Sequence, residues 1–186
     1  MTPTETLKHE HQIVLLVLEG AERRAHTLAE GAALEAGVVL ELDEIVDFLR
    51  NFVDRCHHGK EEKHYFERMV QRGMAREAGP IAVMLHEHEQ GRALVRALAA
   101  ATAELKAGNA SARALVANAL NEFVELLRAH IFKEDNILYP MADRMFTPED
   151  LRTLTEAFDR VEAEEMGEGV HEKYHELAHR LAGRAR

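Results

Sequence analysis

Two short motifs in this sequence set histidine and glutamate one helical turn apart. Glu61 follows His57 by four residues, and Glu134 follows His130 by the same interval. Residues four apart lie on one face of an α-helix, about 6 Å from each other. An imidazole and a carboxylate at this spacing can bind the same metal ion, or the carboxylate can bridge to a second ion. With 12 histidines in 186 residues, the sequence is rich in the commonest metal-binding side chain.

A second motif, His-Glu-His, occurs at residues 9–11 and again at 86–88. The first copy precedes the 57–61 motif and the second precedes the 130–134 motif, so the chain consists of two similar halves. Matching one half to the other would bring the histidines and glutamates of these motifs to one shared interior. The repeat therefore predicts a pseudo-twofold arrangement of helices around a single site.

The hydrophobic pattern indicates which side chains of the two His-x-x-x-Glu motifs face inward. The helical stripe through His57 and Glu61 is otherwise apolar, whereas the stripe through His58 and Glu62 carries Asn51, Asp54 and Arg55. We therefore expect residues 57 and 61 to point into the protein and the pair at 58 and 62 to be solvated. The stripe through His130 is apolar throughout, which gives the same result for its motif.

The same test separates the two histidines of each His-Glu-His motif. His11 and His88 share their faces with apolar residues, so we expect both to point inward. His9 and His86 lie two positions earlier, roughly 200° around the helix, and cannot share those faces. His86 has apolar neighbours and could lie on a seam between helices.

Six inward-facing side chains are thus the predicted ligands of a dinuclear metal site, since buried carboxylates without cations beside them would be severely unfavourable. They are His11, His57, Glu61, His88, His130 and Glu134. The set contains no thiolate, which argues against a cysteine-rich structural zinc site. Bundles with carboxylates and histidines on facing helices commonly hold two iron or two manganese ions. Iron is the first choice, and manganese or zinc is possible.

The elements that must position these residues are helices, as a sequence rich in Leu, Ala, Glu and Arg with no Trp favours. Helices are predicted at about 5–29, 38–71, 80–106, 110–144, 147–167 and 170–181. Thr4 is the expected N-cap of the first helix, residues 31–37 are a connection, and Thr147 caps the fifth helix. The fold class is all-α: an up-down-up-down antiparallel four-helix bundle over residues 1–146, with a C-terminal helical extension over 147–186 packed on the bundle.

Composition excludes several classes of partner. A formal charge of −10 argues against nucleic acid, because phosphate binding needs a concentrated basic surface. No apolar run approaches the roughly 20 residues that cross a bilayer, so no membrane partner is expected. The N-terminus lacks the pattern of a signal peptide, and the single cysteine, Cys56, allows no internal disulfide. We therefore expect a cytoplasmic protein. The oligomeric state is left open.

These motifs together resemble those of the hemerythrin-like, His-His-Glu (HHE) cation-binding domains. The resembling stretches are residues 7–13, 56–66, 84–92 and 130–140, in the family's order, within a match over roughly 6–145. The resemblance implies a four-helix bundle around an oxo- or hydroxo-bridged di-iron centre. By that analogy one iron is bound by His11 and His57 and the other by His88 and His130, with Glu61 and Glu134 as bridges.

Two departures from the oxygen-carrying hemerythrins affect the expected function. Those proteins have a second histidine on the third helix, four residues from the first, where this chain has Met84 and Arg92. Their bridging acid on the fourth helix is an aspartate five residues after the histidine, whereas here it is a glutamate four residues after His130. Both features resemble members that sense iron, repair iron–sulfur clusters or process NO and peroxide. The expected function is therefore binding of, or reaction with, O2, peroxide or NO. Iron or oxygen sensing, reversible O2 binding and iron buffering without turnover are the alternatives, and whether the protein is an enzyme is left open.

Other residues have two interpretations each. His171, His175 and His179 line one face of the last helix, so that His175 or Glu165 could complete an open iron position, or the face could simply be solvated. Two aromatic residues, Tyr65 and Tyr139, are expected in the core or next to the ligands, with a redox or hydrogen-bonding role as the alternative. Cys56 is expected to be a small buried side chain rather than a nucleophile. The charged side chains of the first and third helices, including Arg92 and Arg96, are expected to form a solvated face.

Overall fold

The structure is a computed structural model that describes residues 1–31, 37–167 and 169–183. These residues form six helices, with no strand among them, as the all-α prediction required. The helices are α1 (Pro3–Ala29), α2 (38–71), α3 (Gly79–Lys106), α4 (112–145), α5 (148–166) and α6 (Val170–Leu181). The first four form the hemerythrin-like bundle, in which α4 lies against both α1 and α3 and α2 packs on α3.

The beginning of α1 differs from the prediction. Thr2, rather than Thr4, is the N-cap: its Oγ1 accepts a hydrogen bond from the Glu5 N–H at 3.2 Å, and the Glu5 carboxylate accepts one from the Thr2 N–H at 2.8 Å. Pro3 then occupies the first helical position, where its missing N–H has no cost. Thr4 is buried, and its hydroxyl forms a hydrogen bond with Tyr65 at 2.8 Å.

The other helix limits follow the turn residues of the sequence closely. α2 ends at Gln71, and Gly73 adopts a φ of 103°, a left-handed conformation that glycine reaches without strain. Thr147 caps α5 as predicted and accepts a hydrogen bond from the Asp150 N–H. Of the predicted connection at 31–37, residues 32–36 lie outside the described part of the chain.

Both helices that carry a His-x-x-x-Glu motif widen at that motif. The N–H of Phe66 bonds to the carbonyl of Glu61, and the N–H of Tyr139 bonds to the carbonyl of Glu134, each across five residues instead of four. Such widened turns are rare in proteins, and those that occur are often found at functional sites. They lie at matching positions of the two halves, over Glu61–Tyr65 and Glu134–Leu138, which supports the pseudo-twofold relation.

Two apolar cores flank the level at which the motifs meet. The larger is built from residues of all six helices, and it includes Phe48, Phe52 and Phe123. The smaller packs the aromatic rings of Tyr65 and Tyr139 against residues of α3 and α5. The motif residues lie between these cores, so their polar side chains have little access to water.

The C-terminal extension lies against the first half of the bundle. α6 runs along α1, where a Cβ on Gly20 would come within 2.8 Å of the Cβ of Leu181. Tyr174 packs its ring against Phe48 and Phe52 of α2. At the start of α5, the buried Asp150 carboxylate accepts hydrogen bonds from Arg68 of α2 and from Arg72, the residue after that helix. No helix among the described residues has the length and apolarity of a membrane span.

Candidate metal centre

The structure brings the six predicted ligands together in the interior. All six are buried, and the ring nitrogens of the histidines meet in two pairs. Nε2 of His11 lies 3.0 Å from Nε2 of His57, and Nε2 of His88 lies 3.1 Å from Nε2 of His130. The first pair joins α1 to α2, and the second joins α3 to α4. Each half of the repeat therefore contributes one pair.

The two glutamates lie between these pairs. Oε2 of Glu134 is 3.3 Å from Nε2 of both His11 and His130. Oε2 of Glu61 is 3.6 Å from Nε2 of His57 and 3.5 Å from Nε2 of His88. Each carboxylate thus reaches one histidine of either pair at nearly equal distances. This is the arrangement in which a carboxylate can bridge two ions.

The outward nitrogen of each of the four histidines has a carboxylate partner. The Nδ1 contacts are His11 with Asp135 (2.9 Å), His57 with Glu10 (2.7 Å), His88 with Glu62 (2.7 Å) and His130 with Glu87 (2.9 Å). A carboxylate accepts, so each Nδ1 donates to its partner and each Nε2 is directed to the interior. Carboxylates in this position orient metal-binding histidines and raise their basicity.

These outer carboxylates follow the repeat, and sequence reasoning did not identify them. Glu10 and Glu87 directly precede the histidines of α1 and α3, but each binds the histidine of the neighbouring helix. Glu62 and Asp135 directly follow the two inner glutamates. The signal was present in the duplicated His-Glu-His motif, whose central residue occurs in both copies. Glu62, which was expected to be solvated, is 25% exposed, and it accepts hydrogen bonds from His88 and from Arg92 at 2.7 Å each.

Comparison with known proteins agrees with this geometry. The sequence model of the hemerythrin HHE cation-binding domain matches residues 2–142. The chain belongs to this family. The hemerythrin-like domain is 33% identical over 141 residues to the iron-sulfur cluster repair protein YtfE of Musicola paradisiaca and 35% identical over 141 residues to that of Yersinia pseudotuberculosis, covering 74% of this chain and 60% of each relative. An uncharacterized protein of Mycobacterium tuberculosis is 25% identical over 172 residues, which cover 90% of this chain and 64% of that protein. The chain thus spans about three fifths of the length of these relatives.

The family assignment establishes a cation-binding domain, and the residues present fit such a group. Oε2 of Glu61 and both carboxylate oxygens of Glu134 are buried and have no hydrogen-bond partner within the described part of the chain. Buried carboxylate oxygens in native proteins are normally satisfied, so these atoms require a positive partner. Histidine nitrogens and carboxylate oxygens without thiolate are donors suited to iron, among other divalent metals.

The electrostatics of the hemerythrin-like centre show the same requirement. Burial and the neighbouring Glu134 carboxylate raise the pKa of Glu61 well above its usual value. Burial also acts to raise the pKa of Glu134, but contacts with His130 and His11 outweigh it and hold that pKa well below its usual value. Burial lowers the pKa of His57 to about 4, so this imidazole is neutral at physiological pH. Burial acts in the same way on His130, but contacts with Glu134 and Glu87 outweigh it and raise that pKa to about 9, so a metal ion there must displace a proton.

One histidine of the hemerythrin-like domain was misplaced from the sequence. His58, expected to be solvated, is only 5% exposed, and its ring stacks on His88 with centroids 3.8 Å apart. The expectation assumed 3.6 residues per turn along α2, but the segment Leu49–His58 has widened turns, which change the residues that share a face. Arg92, which was expected on a solvated face, is 24% exposed and pairs with Asp54 and Glu62 at 2.7 Å each.

Tyr139 has the hydrogen-bonding role that the sequence left as an alternative. Its hydroxyl donates to Oε1 of Glu61 at 2.6 Å and lies 3.5 Å from Nε2 of His11. Burial raises the pKa of Tyr139 well above its usual value, so the phenol keeps its proton. Tyr65 is in the core, and its ring lies edge-on to that of Tyr139. Both tyrosines are buried and hydrogen-bonded, Tyr65 to Thr4 and Tyr139 to the predicted ligand Glu61.

A buried lysine was not anticipated. Lys60, which is 0% exposed, forms ion pairs with Glu10 of α1 and with Glu162 of α5, the latter at 2.6 Å. The neighbouring Cys56 is buried as expected, and burial raises the pKa of its thiol to about 12, so it is no nucleophile at neutral pH. The lysine links the extension to Glu10, and through Glu10 to the orientation of His57.

The histidines of α6 do not join the centre among the described residues. His171 lies with Glu10 and Glu162, but Lys60 already supplies a cation to both carboxylates. His175 and His179 lie against each other with ring centroids 4.7 Å apart and ring planes tilted by 46°. The side chain of Glu165 falls outside the described part of the structure. His86, which was placed on a possible seam between helices, is exposed.

Proposed function

We propose that this hemerythrin-like protein holds two iron ions and binds or reacts with the small oxidants O2, peroxide and NO. One ion would be held by His11 and His57 and the other by His88 and His130. Glu61 and Glu134 would bridge the two ions. The observation that carries the proposal is that each glutamate lies between the two histidine pairs, with buried oxygens that have no partner in the described chain.

The distance within each histidine pair supports one ion per pair. Histidine–metal bonds of about 2.0–2.1 Å place two ligands at a right angle with their nitrogens about 3 Å apart. The Nε2 atoms of His11 and His57 are 3.0 Å apart, and those of His88 and His130 are 3.1 Å apart. The Nε2 atoms of each pair face one another, while every Nδ1 faces a carboxylate. Burial acts to lower the pKa of His130, but contacts with Glu134 and Glu87 raise it to about 9, so the metal-free pair holds a proton that a metal ion can replace.

The side chains around the centre suit redox chemistry with small molecules. When bound, a pair of iron ions can exchange electrons with O2, peroxide or NO. The protein would orient the four imidazoles through their carboxylate partners and exclude bulk water with the two apolar cores. Tyr139 would hold a proton on its hydroxyl, 2.6 Å from Glu61 and at the edge of the His11–His57 pair. A phenol there can hydrogen-bond to a small ligand as it enters.

Metal stoichiometry is the first test. Loading the protein with Fe(II) without oxygen, followed by desalting, should leave two irons per chain, and parallel loading with Mn(II) and Zn(II) tests the metal preference. Glu134→Ala and His57→Ala should lose metal, whereas His9→Ala should retain it because His9 is exposed. Binding of a single ion by the wild-type protein would contradict the dinuclear proposal.

The reaction with oxidants separates the functional alternatives. Iron-loaded, reduced protein should be mixed in turn with O2, peroxide and NO while its absorption spectrum and free iron are followed. Turnover of an oxidant supports an enzyme, and a stable, reversible spectrum with O2 supports carriage or sensing. Release of iron without turnover supports buffering. A spectrum that none of the three oxidants changes would refute the proposed reactivity.

Repair of iron–sulfur clusters is a second candidate, favoured by the relatives that carry this name and are 33–35% identical to this chain. In that role the protein would deliver iron to a damaged cluster. Incubating the iron-loaded protein with a cluster protein that has lost iron, and measuring recovery of the cluster's absorption, tests it. The Glu134→Ala variant is the control, because it should carry no iron to deliver.

A further inference from the structure

His58 is a difference between the two halves of the repeat. His57 corresponds to His130, so His58 corresponds to Ile131, an apolar residue of the larger core. His58 is nevertheless buried at the level of the metal centre, with its ring stacked on His88 and 5.9 Å from the ring of His130. A buried imidazole at this place requires a polar partner of its own.

The surroundings of His58 supply a ligand set rather than a hydrogen bond. Its donor nitrogen and those of His88 and His130 lie, with a carboxylate oxygen of Glu61, all within 4.8 Å of one another. Nδ1 of His58 is buried without a hydrogen-bond partner in the described chain, since the nearest carboxylate oxygen, on Asp54, is 3.7 Å away. That distance is longer than the donor–acceptor distance of a hydrogen bond.

The third helix offers no further histidine to this part of the centre. The positions four residues from His88 are Met84, which is buried in the smaller apolar core, and Arg92, which is engaged with carboxylates of α2. The second helix, by contrast, presents an additional imidazole from the widened segment Leu49–His58. The part of the centre beside His88 therefore has no second histidine from α3, but it has His58 from α2.

We propose that His58 is a metal ligand of the ion held by His88 and His130. This inference rests on the dinuclear centre proposed above and adds a fifth imidazole to it. The ion held by His11 and His57 then has one imidazole fewer. The two ions are unequal, and the one on the His11–His57 side keeps more positions for small molecules. Tyr139 is on this side.

A phenylalanine at position 58 tests the proposal, because it keeps a ring to stack on His88 but removes the donor nitrogen. Iron-loaded wild-type protein should retain two irons against a competing chelator, and His58→Phe should bind one of the two at least about tenfold more weakly. His86→Phe is the matched control: the same substitution on an exposed histidine should leave both affinities unchanged. Circular dichroism of the metal-free variants checks that the helices are retained.

A crystal structure of the iron-loaded wild-type protein gives a second, independent readout. Anomalous scattering should place one ion about 2.0–2.2 Å from a nitrogen of His58. Two ions with neither within about 3 Å of His58, or equal iron retention by wild type and His58→Phe, would overturn the inference and leave the dinuclear proposal intact. Failure of the wild-type protein to bind two ions would overturn both. His58 also lines a cleft of about 150 Å³ beside Arg92 and Phe123, so a change in the rate of ligand binding without a change in iron affinity would identify it as a gate instead.

Discussion

The two halves of the bundle carry the same motifs, but they are enclosed differently. In the first half, Lys60 is 0% exposed and lies between Glu10 and Glu162. Its counterpart in the second half, Lys133, binds Glu87 in the same way but is 33% exposed. The local motif is therefore the same, and the difference comes from α5, whose Glu162 pairs with Lys60.

This comparison shows how a repeated motif acquires two roles. Where the lysine is open to water, its ion pair with the outer carboxylate is worth little, because solvent screens the attraction. Where the extension covers it, the same pair becomes a buried network whose members depend on each other. The covered half should therefore be the more sensitive to substitution, although both halves orient one histidine through the same contact.

The largest expected effect comes from replacing Lys60, with the same replacement of Lys133 as the comparison. Lys60→Met leaves the buried Glu10 carboxylate without its cation and should lower the free energy of unfolding by about 3–5 kcal/mol. Lys133→Met should cost about 1 kcal/mol or less, because water can replace the lost partner. Urea denaturation of both variants at equal metal content measures the difference.

A double variant sharpens this result. Lys60→Met combined with Glu10→Gln removes the charge together with its partner, and it should recover part of the lost stability. Equal losses for Lys60→Met and Lys133→Met would show that the extension does not separate the halves energetically.

The pH dependence of stability should also come mainly from the covered half. Burial opposes ionisation of Glu10, but His57 and Lys60 outweigh it and lower its pKa from about 4.5 to about 2. A carboxyl whose pKa is lowered in the folded protein stabilises the fold at pH values above its pKa in the unfolded chain. This contribution is lost as the pH falls towards the pKa in the folded protein. Metal-free protein should therefore lose on the order of 3 kcal/mol between about pH 4.5 and pH 2 through this group.

The control for this prediction is Glu87, the equivalent residue of the second half. Glu10→Gln should flatten the acid side of the stability curve, whereas Glu87→Gln should change it less, because Glu87 is closer to solvent. Thermal melts at a series of pH values give both curves. Identical curves for the two variants would assign the acid transition to other carboxyls.

How far the sequence predicts this molecule can be argued from these residues. The helices and the convergence of His11, His57, His88 and His130 follow from apolar stripes, because burial of a helix face is a local pattern. That these residues bind metal is still a prediction. The location of Lys60 was not predictable in the same way, since its partner Glu162 lies 102 residues further along the chain. Neither charge is compatible with burial alone, so only the folded structure reveals the pair.

His58 and Thr2 were missed for local reasons instead. The stripe that placed His58 in solvent counts regular turns, and a widened turn is not visible in residue types. At the N-terminus, Glu5 follows Thr2 by three residues and Thr4 by one, and the choice of cap depends on which threonine leaves Pro3 at the first helical position.

A pair of helical glycines tests the packing of the extension directly. A Cβ on Gly20 would meet Leu181 of α6 at 2.8 Å, closer than real contacts allow. Gly20→Ala should therefore push α6 outward and destabilise the protein by about 1–3 kcal/mol. On α3, a Cβ on Gly91 would meet only Phe123 at 3.7 Å, an ordinary contact. Gly91→Ala should be neutral or stabilising by up to about 1 kcal/mol, because alanine favours the helix. Chemical denaturation distinguishes the two, and equal effects would mean that α6 does not constrain α1.

The smallest expected effect concerns the link between the extension and the centre. Glu162 is 32% exposed and binds Lys60 at 2.6 Å, so Glu162→Gln removes one charge from the network but keeps an oxygen that can accept from the lysine. Because Glu10 still neutralises Lys60, the loss of stability should be about 1 kcal/mol, and iron affinity should not change. Glu164→Gln, on an exposed residue of the same helix, is the control and should have no measurable effect on either quantity. A loss of iron affinity in Glu162→Gln alone would mean that the extension acts on His57 through Lys60 and Glu10. The second half of the repeat would lack this control, because Lys133 is 33% exposed.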